Sequence, residues 1–177
     1  MMKSMSAQEP ASDQGAALLA LYDRALPQVY GYLLSRCGSS ALAEDLTGET
    51  FLAAVTAVKR QTVPTMTVAW LIGVARHKLV DHWRRQAREE RNLELVHSEA
   101  DPDDDPWDER LDAARAHDVL RGLGAHHRVA LTLRYLDALS VPEVADHLKR
   151  SVHATEALLV RARVAFRRAY GEASHDD

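Results

Sequence analysis

The chain has 177 residues, 46% hydrophobic and 6% aromatic, with a formal net charge of −4; that length suits one ordinary domain or two small ones. Its single cysteine, Cys37, excludes an intramolecular disulfide framework and any multi-cysteine zinc site, and is expected to be a small core residue. No apolar run is long enough to span a membrane, and the N-terminal MMKSMSAQEPASDQG has no secretory apolar stretch, so the expected location is the cytoplasm.

The charge is unevenly spread. Residues 1–58 have net charge −3, 59–91 have +5, 92–118 have −8, 119–170 have +5 and 171–177 have −3. Two basic modules therefore flank an acidic segment, and regional charge rather than the average sets the local attraction for phosphates.

The expected fold is all-α, two small helical domains joined by an acidic flexible linker. Residues 1–15 are expected to be disordered, and 16–91 form the first helical domain. Within it Leu18, Leu21 and Ala25 begin a helix, and Pro27 opens or kinks the next, whose apolar side is Val29, Tyr30, Leu33 and Leu34. Cys37–Ser40 reads as a stop and restart. Ala41 to Lys59 is a third helix with Leu42, Leu46, Phe51, Leu52 and Val55 apolar. Arg60 to Thr67 is a loop around Pro64.

Val68 to Arg88 is a long fourth helix with Val68, Leu71, Ile72, Ala75 and Leu79 as its core stripe. A second face gathers Trp70, His77, Asp81, Arg84, Arg85 and Arg88. An aromatic plane beside arginines suits single-stranded or melting nucleic acid; the same pattern also fits a half-buried tryptophan among solvated cations.

Residues 92–110, rich in Asp and Pro, read as the acidic linker, with Trp107 its one anchoring candidate. Residues 111–171 form the second domain and 172–177 an acidic tail. Leu111, Ala114, Val119, Leu120 and Leu123 lead into Gly122–Gly124; Val129, Ala130, Leu133, Tyr135 and Leu136 form a supporting helix.

The last third holds two helix starts. Ser140 with Glu143 makes a capping box with Pro142 in the first turn, and Ser151 caps a second helix after a break at Lys149–Arg150. A short helix, a tight turn and a longer basic helix form a helix-turn-helix pattern. On the second helix Val152, Thr155, Leu158, Leu159, Ala162, Phe166 and Ala169 should be core. His153, Ala157, Val160 and Val164 lie opposite, flanked by Glu156, Arg161, Arg163, Arg167 and Arg168. Small outward residues allow close approach to base edges, and the arginines can hold phosphates. A solvated basic helix is the plainer alternative.

Three segments, AEDLTGETFLAAV, VAWLIGVARHKLVDHWRR and ALTLRYLDALSVPEVADHLKRSVHATEALLVRAR, resemble in order the extracytoplasmic-function sigma factors, the small two-domain branch of the sigma-70 family. The resemblance covers about Leu18 to Tyr170. It implies that bacterial core RNA polymerase and promoter DNA are partners, with an anti-sigma factor as resting partner. It places Asp45, Leu46, Gly48, Glu49 and Thr50 on core polymerase. It gives Thr62, Thr65, Thr67, Trp70, Arg76, His77, Lys78, Asp81, Arg84 and Arg85 to the −10 element. It gives Arg150, Ser151, His153, Ala154, Glu156, Ala157, Val160, Arg161 and Arg163 to the −35 element. The family commonly has glutamine at Gly48, asparagine at His77 and glycine at Lys149.

The rival readings are a helix-turn-helix regulator with no sigma role, and an enzyme. The first module shows no βαβ alternation or Gly-rich loop that would make a receiver or ligand pocket. The nine histidines, His126–His127 included, lack metal-binding spacing. The expectation is a non-enzyme with no catalytic residues, no metal and no cofactor.

Overall fold

A computed structural model describes residues 9–63, 65–93 and 112–172 of the chain. These residues are all-helical, with no strand among them. The chain divides into two compact units, Met1–Leu79 and Val80–Asp177. The division falls inside a helix rather than at the acidic stretch, most of which lies outside the described residues.

The first unit contains α1 (Glu9–Cys37), α2 (Ser40–Lys59) and the start of α3 (Val68–Leu93). Leu18, Leu21, Ala25, Val29, Leu33 and Cys37 are buried along one side of α1, at helical spacing. Pro27 does not break this helix: α1 runs through it, and residues 9–15, expected to be disordered, already belong to it. Pro27 deprives the Asp23 carbonyl of its donor, but both residues are exposed, so water can replace the lost bond. Gly38, with φ 64°, ends the helix in the left-handed region that glycine enters without steric cost. Ser39 then caps α2, accepting from the Leu42 N–H at 3.4 Å.

On α2 the buried set is Ala43, Leu46, Thr47, Thr50, Ala54 and Val58. This corrects the expected apolar side: Leu52 and Val55 face out, 69% and 39% exposed, while two threonines face in. The threonine hydroxyls donate to the carbonyls four residues back, Thr47 to Ala43 at 2.6 Å and Thr50 to Leu46 at 2.7 Å. Their polarity is satisfied within the helix, and their methyl groups can pack.

In α3, Leu71, Ala75 and Leu79 are buried as expected, and Val80, Trp83 and Ala87 continue the stripe. Val68 and Ile72 are only half-buried.

The second unit contains the last turns of α3, then α4 (Ala113–Gly122), α5 (Ala125–Leu131), α6 (Val141–Leu148) and α7 (Val152–Glu172). A π-helical turn, Thr132–Leu136, extends α5. Asp112 caps α4 through the Arg115 N–H at 2.9 Å. Glu90 of α3 accepts from the Ala125 N–H at 2.9 Å and so serves the first turn of α5. α4, α5 and α6 all pack on α7. Val119, Leu120, Leu123, Leu131, Ala162 and Phe166 form one apolar cluster. Tyr135 and Leu136, expected in the support, are instead 43% and 46% exposed. The Arg115 guanidinium lies 4.2 Å from the centre of the Tyr170 ring, tying the start of α4 to the end of α7.

Trp83 is fully buried, yet its indole N–H has no hydrogen-bond partner. Trp83→Ala is expected to cost about 3–5 kcal/mol. Trp83→Phe should cost much less, because it removes a donor that is buried without an acceptor. Urea unfolding of both variants checks the ordering.

Candidate nucleic-acid interface

The segment with the expected helix-turn-helix pattern begins at Ser140. The Glu143 carboxylate accepts from the Ser140 backbone N–H at 2.8 Å and from its hydroxyl at 2.6 Å, which completes the expected box at the start of α6. The turn after α6 needs one left-handed residue, and Lys149 supplies it with φ 53° and ψ 50°. A side chain there carries a steric cost of about 1–2 kcal/mol that glycine avoids. Ser151 accepts from the Ala154 N–H at 3.2 Å and starts α7.

The rotation of α7 is set by burial of Thr155, Leu158, Leu159, Ala162 and Phe166. His153, Glu156, Ala157 and Arg161 are exposed; Ala154, Val160, Arg163, Val164 and Arg167 are half-buried. Val152, expected in the core, is 44% exposed. Arg150 and Ser151 are exposed in the turn itself. The outward stripe is thus a charged and small-residue surface with a histidine at its N-terminal end.

On α3, Thr67 accepts from the Trp70 N–H at 3.1 Å and fixes the helix start. Trp70 is half-buried, His77, Asp81 and Arg85 are exposed, and Arg76, Lys78 and Arg84 lie between. His77 Nδ1 sits 2.8 Å from the Gly73 carbonyl oxygen, within its own helix. Asp81 pairs with Arg84 at 3.4 Å.

The structure brings together residues that the sequence assigned to different partners. Lys78 of α3 lies 3.6 Å from Glu49 of α2. Both line a groove of about 600 Å³ with Leu52, Thr56, Arg60 and Thr62. Arg60 belongs to the expected Arg60–Thr67 loop but was not among the residues assigned to the −10 element; it lies on this groove. Thr62 donates to the Ala57 carbonyl at 3.2 Å, and Thr65 and Thr67 are exposed.

On α2, Asp45, Gly48 and Glu49 are exposed and aligned with Leu52 at helical spacing. Leu46 and Thr50, assigned to the same surface, are 1% and 0% exposed. They hold α2 in its unit and offer no surface to a partner as the chain stands.

The rings of His126 and His127 lie with their centres 4.0 Å apart, tilted by 43°, at the start of α5. Burial lowers the pKa of both. For His127, neighbouring His126 and Arg161 add to the effect, bringing it to about 4. No group of three or more His, Cys, Asp or Glu among the described residues is placed to hold a metal ion, and no described helix is long and apolar enough to cross a membrane.

Residues 21–89 match the model of the Sigma-70 region 2 family. The chain is 34% identical over 148 residues to the ECF RNA polymerase sigma factor BldN of Streptomyces coelicolor, covering 80% of this chain and 56% of that protein. It is 31% identical over 144 residues to SigL, an ECF RNA polymerase sigma factor of Mycobacterium tuberculosis, covering 78% of this chain and 80% of that one. The chain thus spans about half the length of BldN and 38% of a second relative, a Rhizobium meliloti protein of no stated role. Among solved structures, the sigma factor RpoE of Bartonella quintana, in complex with the anti-sigma factor NepR, has a similar fold, with TM-score 0.52 and 20% identity. That match covers 86% of this chain and 96% of the other. The chain belongs to the extracytoplasmic-function sigma factors of the sigma-70 family.

The histidine pair gives a pH prediction. His127 has a folded-state pKa of about 4 against 6.5 for the free side chain. The unfolded chain therefore takes up the proton first, and stability present above about pH 6.5 is lost as pH falls towards 4. His127→Gln should flatten the decline of the thermal midpoint over that window, as measured by circular dichroism. An unchanged decline would assign the acid sensitivity to other groups.

Proposed function

We propose that this chain is an RNA polymerase sigma subunit. It binds core enzyme, directs it to promoters by reading −10 and −35 elements, and has no catalytic activity of its own. The observation that carries the reading is the face of α7. His153, Glu156, Ala157 and Arg161 are turned outward while the opposite side is anchored in the core. Its relatives among the sigma factors support the same conclusion.

In this reading residues 16–91 act as the core-binding and −10 module, and 111–171 as the helix-turn-helix that reads the −35 element. The acidic residues 92–110 join them. Asp45, Gly48 and Glu49 face core polymerase, and exposed Leu52 and Val55 add apolar area beside them. Trp70 offers a plane for an unpaired base, with Arg76, His77, Lys78, Arg84 and Arg85 for the backbone. The Thr62–Thr67 loop supplies hydroxyls for an extruded base. An anti-sigma protein holds the chain at rest, in the cytoplasm.

Glu156 projects towards base edges, where a carboxylate accepts from a cytosine amino group; Arg161 is suited to phosphate. Glu156→Ala should change the preferred base at one −35 position by about 1–3 kcal/mol. Arg161→Ala should weaken all −35 sequences alike and reduce the salt slope by about one unit. A randomised −35 library transcribed by each mutant holoenzyme separates the two. An unchanged base profile for Glu156→Ala would mean that α7 docks in another rotation.

A further inference from the structure

We propose that the second unit holds a small phosphate anion, such as pyrophosphate, in the cleft where Arg84, Arg88 and Arg91 of α3 meet Lys149 and Arg150 of the α6–α7 turn. The cleft lies within Val80–Asp177 and encloses about 130 Å³. That is well below the roughly 300–1,000 Å³ of a site for a drug-sized ligand. The volume suits a small ligand, and the charge of the lining selects an anion. Among the described residues the lining has five cationic side chains and no carboxylate; the rest is His126 and the apolar Ala87, Val129, Leu148 and Leu158.

Two acids of α3 are engaged. Glu90 accepts from the Ala125 N–H, and Asp81 pairs with one terminal nitrogen of Arg84. Arg91 donates its Nε–H to the Ala87 carbonyl at 3.2 Å, and among the described residues its two terminal nitrogens meet no acceptor. Like charges brought this close repel one another, and the repulsion grows as water is displaced. The effect registers on Arg150, whose proton affinity is lowered by partial burial and then by Arg91, Arg161 and Arg84. A bound polyanion cancels that repulsion and accepts charge-assisted hydrogen bonds from several guanidinium groups.

Lys149 is the independent sign. The turn requires a left-handed residue, for which glycine is least strained, and the chain instead places a lysine there that lines the cleft. Lys149 thus adds a positive charge to the cleft at a position where glycine would be less strained.

Anion binding itself does not depend on the sigma reading. One consequence does: Arg84 and Arg150 are also assigned to promoter DNA, so a bound anion would compete with it in the polymerase-free protein.

Isothermal titration of the full chain with pyrophosphate, at an ionic strength of about 0.15 M held constant with chloride, tests the site. The expected result is saturable binding of one anion per chain. Arg91→Gln combined with Arg150→Gln should lower the affinity by about tenfold or more, the scale of one charged hydrogen bond. Arg168→Gln, outside the cleft, should leave it unchanged. Lys149→Gly is expected to fold at least as stably and still bind the anion more weakly, so the test survives if the double variant misfolds. Three results would overturn the proposal: heats no larger than those of sulfate at equal ionic strength, non-saturating binding, or wild-type affinity in both cleft variants. A short oligonucleotide that binds saturably where pyrophosphate does not would likewise assign the cleft to DNA. Promoter-directed transcription by holoenzyme, assayed without pyrophosphate, stands or falls separately.

Discussion

Burial of one side of α7 is the constraint on which the functional surface depends. Leu158, Ala162 and Phe166 are almost fully enclosed, and Thr155 is wholly so. A helix anchored along several turns cannot rotate without exposing those groups, at about 25 cal/mol for each Å² of apolar area. The same anchoring fixes His153, Glu156, Ala157 and Arg161 on the outside. The outward face of α7 is therefore a by-product of packing, and α4, α5 and α6, which support the helix, set that face at one remove.

This helix was the most legible part of the sequence. Its period of 3.6 separates core from surface residues, and capping residues mark where α6 and α7 begin. Val152 departs, at a first turn that periodicity alone cannot place, and Val160, Val164 and Ala169 are half-buried. α2 was read less well. Hydrophobicity put Leu52 and Val55 inside, but Thr47 and Thr50 occupy that side because their hydroxyls bond to their own helix. Polarity that is satisfied locally does not show in a hydropathy pattern. Leu46 and Thr50 were assigned to the polymerase surface by motif position, and both are buried in this chain.

Pro27 misled for a related reason. A proline inside a helix loses one hydrogen bond, and the loss is small where the freed carbonyl faces water. α1 therefore continues, and the apolar ladder from Leu18 to Cys37 carries it past the defect. Trp83 escaped notice because it sits among arginines in the sequence, while its helix turns it inward and the charges outward. The Glu49–Lys78 pair was invisible to any reading by segment, since its members are far apart in the chain.

Charge completes the account. An overall charge of −4 argues against nucleic acid if it is averaged, yet the cations are concentrated on α3, the α6–α7 turn and α7. The most direct test is transcription in vitro with core polymerase from the source organism, genomic fragments and mapped start sites. The account predicts starts that require this chain and share sequence elements near −10 and −35. Core enzyme that initiates at the same sites, or at none, whether or not the chain is present would contradict it.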